Sequence, residues 1–252
     1  MPRTVAKYGW KPDLPDHRDH YFSVVVQPTA LPAKVDLRPQ CPAVYDQGQL
    51  GSCTANAIGA AFEFEQMKEK IASWVPSRLF IYYNERVMEG DVSQDNGAQI
   101  RDGMRSVNVK GVCPESEWPY DINAFANHPP TKCYTDALKN KLVSYSHVPQ
   151  TLSMMKSCLA SGYPFVFGFT VYESFEGDAI ANTGMMPMPA KSEQVVGGHA
   201  VLAVGFDDSM QRMIVRNSWG SGWGAAGYFY MPYAYITDTS LCDDFWTMRV
   251  VA

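Results

Sequence analysis

The chain has 252 residues, 46% of them hydrophobic and 19% charged, with 14 Tyr, 12 Phe and 6 Trp, a make-up that fits a well-packed globular protein and excludes a disordered one. Its 26 acidic and 21 basic residues leave a net charge of -5 and no basic run suited to a phosphate backbone, so no nucleic-acid partner is expected. No apolar stretch approaches the ~20 residues that span a bilayer, so no membrane partner is expected either, and a monomer is the simplest assembly.

The start, MPRTVAKYGW, lacks the apolar segment of a signal peptide. A chain trimmed of its signal would begin the same way, so export is the expectation and the cytoplasm the alternative. Residues 1–34 are rich in Pro, Asp and aromatics with little periodicity, and read as an extended arm. From Ala55 the apolar positions Ala57, Ala60, Phe64, Met67 and Ile71 recur at three- and four-residue steps, with Glu63, Glu69 and Lys70 between them. This predicts one amphipathic helix of roughly five turns, preceded by Gly51 and Ser52, with Cys53 in or just before its first turn. Further helical signal runs from Ser77 to Met88 and from Ala98 to Val109, ending at Gly111.

After about Lys141 the pattern changes. YPFVFGFTVY, HAVLAVGFDD, RMIVRN and GYFYMP are short aromatic and β-branched runs separated by Gly, Asp and Asn, and predict strands of a mostly antiparallel sheet or barrel. GFDDSMQRMIV reads as a hairpin, and NTGMMPMPAKSEQ as a mobile loop. Helices followed by strands imply an α+β protein in two lobes with a cleft between them: residues 35–140 mainly helical, residues 141–252 mainly β.

A cysteine at a helix N-terminus gains from the unpaired N–H groups and the positive dipole end, which favour the thiolate. By position Cys53 is therefore the most activatable of the six cysteines, although position alone leaves a buried structural thiol equally open. A thiolate needs a base. Of the five histidines, His199 follows two glycines and opens an apolar strand, from which a side chain can face a cleft. Asn217 ends a later strand and precedes Trp219; an Asn can accept the ring N–H of a histidine and fix its tautomer, and a neighbouring Trp can keep water from that bond.

The segments DQGQLGSCTANA, GGHAVLAVGFD and RNSWGSGWGAAGYFYM, in that order, resemble the papain-like cysteine peptidase family, in a divergent bacterial-type branch, with NGAQIRDGM and WPYD supporting the likeness. His199 lies 146 residues after Cys53, within the family's usual spacing of ~130–150, and Asn217 lies somewhat beyond it. The resemblance implies a papain-like two-lobed fold, Cys53 as nucleophile, His199 as base and then acid, Asn217 orienting His199, and Gln47 as an oxyanion donor beside the Cys53 N–H. It further implies that Asn96, Gly97 and Ala98 pair with an extended peptide by strand addition, that Gly197 and Gly198 line the cleft, and that Trp219 shields the His199–Asn217 contact.

Leu50 and Thr54 depart from the family pattern, which has a cysteine and an aromatic there. Glu193 stands where a partner for Cys242 would be expected, and Cys133 lacks an obvious mate. The resemblance implies cysteine peptidase activity through a thioester on a peptide or protein substrate. The alternatives are a thiol amidase or acyltransferase on the same scaffold, and a non-catalytic peptide-binding relative. No cofactor or metal is expected, since no His, Cys, Asp or Glu group has ligand spacing. The arm YGWKPDLPDHRDHYF is expected to fold over the body through Tyr8, Trp10 and Tyr21 and to contact the cleft, either limiting access to Cys53 in a propeptide-like role or packing only as a structural strap. His17 and His20 among Asp13, Asp16 and Asp19 would make its docking pH-sensitive.

Overall fold

The computed structural model describes residues 7–23, 31–71 and 73–250. The chain begins with two short strands, β1 (Trp10–Lys11) and β2 (Lys34–Asp36), and then enters the helices α1 (Cys53–Lys68) and α2 (Arg78–Glu89). Strand β3 (Ala98–Gln99) leads into α3 (Ile100–Lys110), and α4 (Thr131–Ala137) closes the helical part. Then follow β4 (Ser144–His147), α5 (Leu152–Ala160), β5 (Phe165–Tyr172), α6 (Asp178–Thr183) and the long β6 (Val195–Asp207). Strands β7 (Arg212–Arg216) and β8 (Tyr228–Pro232), the short α7 (Tyr233–Ile236) and β9 (Cys242–Arg249) complete it.

One sheet of seven strands runs in the order β4-β9-β5-β6-β7-β8, with β2 added alongside β6, and all its pairings are antiparallel. The four runs read as strands correspond to β5, β6, β7 and β8, and the expected hairpin is the β6–β7 turn, where Asp207 faces Arg212. Strand β2 carries the chain onto this sheet before α1 begins, as Lys34 pairs with Asp207 and Leu37 N–H donates to Val204 O at 2.8 Å.

Helix α2 starts where its cap dictates: the Ser77 side chain accepts from Phe80 N–H, and Gly90 ends the helix in the left-handed conformation. Helix α1 departs from expectation. It covers 16 residues, and every residue from Cys53 to Gln66 is buried, so there is no single apolar stripe. The cause is its position: α2 and α3 pack on it along with β5, β6 and β9 of the sheet. Glu63, placed by sequence on a polar face, is buried and accepts from Tyr45 Oη, while Met67 and Ile71 near the end are 38% and 43% exposed.

In the segment read as a mobile loop, Met186 is buried and its N–H donates to Tyr230 O at 3.2 Å, so its first part is tied to β8. In the arm, Tyr8 and Trp10 pack on the core, but Tyr21 remains 64% exposed beside His147, contrary to expectation.

Candidate active site

Cys53 is the first residue of α1 and its side chain has no solvent exposure. Burial pushes its thiol up to about 12, against the backbone N–H groups of Ala200, Gly9 and Thr54, which lie near the sulfur and favour the thiolate. The helix-terminus advantage expected from sequence is thus outweighed in this arrangement. A thiolate with no access to water loses more hydration than three amide dipoles return. Ser52 precedes it without capping the helix; its Oγ is spent on Tyr120 Oη at 2.5 Å.

His199 stands on β6 opposite Phe169. Its Nε2 lies 2.9 Å from Asn217 Oδ1. The same oxygen accepts from Ser218 N–H at 2.8 Å, which turns the Asn217 carbonyl toward the ring and makes Nε2 the protonated nitrogen. Asn217 is itself fixed just beyond β7 by its N–H to Gly227 O at 3.0 Å. Trp219 stacks on the imidazole, centroids 5.3 Å apart and planes 28° from parallel, while Phe169 and Tyr8 meet it edge-on. The Asn217–His199 bond is therefore walled by aromatic rings.

Gln47 is tied into the same network. Its Oε1 accepts from Ser218 Oγ at 2.5 Å, its Nε2 donates to Leu50 O at 3.0 Å, and its N–H donates to Ser218 O at 2.9 Å. Ser218 therefore couples the loop before α1 to the loop after β7. Arg216 anchors that loop further back, donating to Pro42 O at 2.7 Å and Ala43 O at 2.5 Å. The two positions that depart from the family pattern are packed: Leu50 is buried, and Thr54 Oγ1 donates to the buried Glu85 carboxyl at 2.6 Å.

The glycines expected to meet an extended peptide instead meet the chain's own N-terminal segment. Strand β1 pairs in parallel with β3, and Ala98 N–H donates to Gly9 O at 2.7 Å. A Cβ on Gly97 would fall 2.0 Å from Gly9 O, and one on Gly9 would fall 1.7 Å from Gly51 O, so three main chains touch where no side chain fits. The Tyr8 ring lies over Gly197 and the Trp10 ring over Gly198. Asn96 is not part of this contact: it is exposed and its amide donates to Asp91 at 2.8 Å.

The arm is held by a pair of carboxyls. Trp10 Nε1 and Asp13 N–H both donate to one oxygen of Asp244, at 2.8 and 2.9 Å, and Asp13 in turn accepts from Trp246 Nε1 at 2.8 Å and Arg101 N–H at 3.1 Å. Burial, and for Asp13 also the neighbouring Asp244, raises both carboxyls well above the ordinary range. His17 and His20 are exposed, and the groups that burial perturbs at this contact are the Asp13 and Asp244 carboxyls. The sequence did not point to the roles of Ser218, Asp244 and Gly9, and it named Asp13 only as a neighbour of the two histidines. Ser218 adjoins Asn217 inside a motif already singled out, and Gly9 and Asp13 lie inside the arm segment, whereas Asp244 carries no local signal.

In this structure all six cysteines carry free thiols. Among the described residues, Cys113, Glu117 and Cys133 form a group whose ligand-type atoms lie within 4.8 Å of one another, so Cys133 does have a neighbour of its own kind. Their separation along the chain hid this from a search for ligand spacing.

Residues 31–243 match the profile of the papain family cysteine proteases. An uncharacterized peptidase C1-like protein of Acanthamoeba polyphaga mimivirus is 45% identical over 275 residues, which cover 98% of this chain and 88% of that protein. A cathepsin B-like protein of Giardia intestinalis is 30% identical over 248 residues, covering 91% and 72%. The crystal structure of xylellain, a cysteine protease from Xylella fastidiosa, superposes with a TM-score of 0.92 at 45% identity, covering 99% of this chain and 100% of the other.

Proposed function

The chain belongs to the papain family of cysteine proteases, and from that premise we propose that Cys53, His199, Asn217 and Gln47 cleave peptide bonds through a thioester, and that the N-terminal arm holds the site silent. The observation that carries the catalytic reading is the 2.9 Å bond from His199 Nε2 to Asn217 Oδ1, one residue from the Ala200 N–H that faces the Cys53 sulfur.

With Nε2 bound to Asn217, His199 Nδ1 takes the Cys53 proton. The thiolate attacks the substrate carbonyl carbon, and the oxyanion is met by the Cys53 N–H and by the second hydrogen of the Gln47 amide, whose first is held on Leu50 O. The imidazolium then protonates the leaving amine. Water, deprotonated by His199, hydrolyses the thioester and restores the thiol. Gly97 and Ala98 bind the substrate main chain, Gly197 and Gly198 line the cleft, and Trp219 screens the Asn217–His199 bond.

The arm reading rests on three contacts: Gly9 beside the Cys53 sulfur, Gly9 O on Ala98 N–H, and Trp10 over Gly198. A substrate using Ala98 N–H and the space above Gly198 must displace Gly9 and Trp10. Cleavage of a peptide library by the chain lacking the residues before Leu31, and not by the same chain carrying Cys53→Ala, tests the catalytic assignment. Selective labelling of Cys53 by an epoxide in the arm-deleted chain, without any turnover, would favour a binding protein instead.

A further inference from the structure

We infer that Cys113 and Cys133 are a disulfide pair, closed during folding in an oxidising compartment, and that the bond fastens the loop that supports Gln47 and Ser52. Two independent observations point to it. The two sulfurs, with a carboxylate oxygen of Glu117, lie within 4.8 Å of one another. The backbone on both sides is already clamped: Val112 N–H donates to Asn140 O at 3.0 Å, just past α4, and Ser77 N–H donates to Cys113 O at 2.9 Å. With the sulfurs this near and the flanking backbone held, closure is expected from a local adjustment of the two cysteines rather than a refolding of either segment.

A metal fits this group poorly. It would need both sulfurs as thiolates, yet burial raises both thiols and the Glu117 carboxylate raises them further. Lys132 Nζ sits 2.5 Å from Glu117 Oε1 and leaves only Oε2 to face the sulfurs, and the group offers three ligand atoms where a structural zinc takes four. A disulfide is neutral and asks nothing of Glu117.

The oxidant is a low-molecular-weight disulfide such as oxidised glutathione. One cysteine thiolate attacks it, releasing one small thiol and leaving a mixed disulfide; the second cysteine displaces the other small thiol and forms the Cys113–Cys133 bond. Two electrons pass to the small disulfide, and the two cysteine protons end on the two small thiols. Because the folded sulfurs are only 0% and 1% exposed, this exchange belongs to the folding chain, and the finished bond is shielded from reductant.

The enclosed loop carries the props of the active site. Tyr120 Oη donates to Gln47 O at 2.9 Å and contacts Ser52 Oγ, while Trp118 O accepts from the Ser77 side chain that caps α2. Only this consequence rests on the catalytic reading; the bond itself does not.

The test refolds the full chain in a mixture of reduced and oxidised glutathione, blocks thiols with iodoacetamide in denaturant, and digests with trypsin without reduction. The expected product is peptide 111–132 joined to peptide 133–139, separating after dithiothreitol. Closing a loop of about 20 residues, the bond should raise the melting temperature by roughly 6–12 °C, lost on reduction and absent in Cys113→Ser/Cys133→Ser. If the double variant fails to fold, the peptide result on wild type still decides. Alkylation of both cysteines, a bond from either to another cysteine, or stoichiometric zinc with both thiols intact would overturn the proposal. These readouts are mass, metal content and melting, so they stand apart from any failure to find proteolysis.

Discussion

Trp10 Nε1 donates to Asp244 Oδ2 at 2.8 Å, joining the arm to the beginning of β9, far along the chain from it. Around that contact Gly9 lies on Gly51, Gly97 and Ala98. Deleting the residues before Leu31 is expected to raise kcat/KM on a short fluorogenic peptide by roughly tenfold or more, the factor for a competent state populated about one time in ten. Gly9→Val should do the same in the full chain, since its Cβ would strike Gly51 O. Unchanged activity and unchanged Cys53 labelling rates in both would sink the inhibitory role of the arm.

The carboxyl pair sets the pH dependence of docking. Asp13 and Asp244 have folded-state values raised by burial, so the docked arm prefers them protonated. Their contribution is full below the ordinary carboxyl value and is lost as pH rises through the raised values. Arg101 opposes part of the loss, whereas Asp243 adds to it. The ratio of full-chain to arm-deleted activity should therefore climb between about pH 4 and pH 8. Asp244→Asn, which keeps an acceptor for Trp10 but removes the charge, should make the climb shallower and confine it to the titration of Asp13, which burial itself raises. A flat wild-type ratio would refute the carboxyl latch.

Gln47→Ala is expected to lower kcat by roughly 100- to 1000-fold. Ser218→Ala, which loosens Gln47 without removing it, should lower kcat by roughly tenfold with KM little changed. Steady-state kinetics on the arm-deleted chain separate the two effects from access. Equal losses for both would mean that Gln47 acts only as a scaffold residue.

Glu85 is fully buried, and burial raises its carboxyl well above the usual range, so it stays protonated and accepts from Thr54 behind Cys53. Its stabilising contribution is full at low pH and declines as pH rises above the ordinary glutamate value. Glu85→Gln should preserve stability and remove that decline. Glu85→Ala, leaving the Thr54 hydroxyl unpaired, should cost about 1–3 kcal/mol, measured by thermal melts across pH. Identical melting curves for all three chains would contradict this account.

Where local pattern and tertiary setting agree, the sequence was a sufficient guide. The Ser77 cap marks α2, and short aromatic runs mark β5 to β8. Cys53, His199 and Asn217 each lie in a short motif: Cys53 opens α1 and Asn217 follows β7, whereas His199, expected to open its strand, stands four residues inside β6. Helix α1 misleads because periodicity reports one buried face, whereas here a second layer covers the other. Strand β9 begins with Cys242, Asp243 and Asp244, and two acidic residues disguise a strand whose residues 245–248 are buried. The arm's lodging is hidden for a different reason: it is made by main chain on glycine, and glycine contacts leave no pattern of side chains to read. The proximity of Cys113 to Cys133 arises only when α4 folds back on the residues after α3.

The two-sided burial of α1 has a thermodynamic consequence. A helix whose neighbours are α2 and α3 on one side and β5, β6 and β9 on the other cannot keep its surroundings if either set melts. Helices and sheet are then expected to unfold in one cooperative transition, despite a cleft that outwardly suggests two separable bodies.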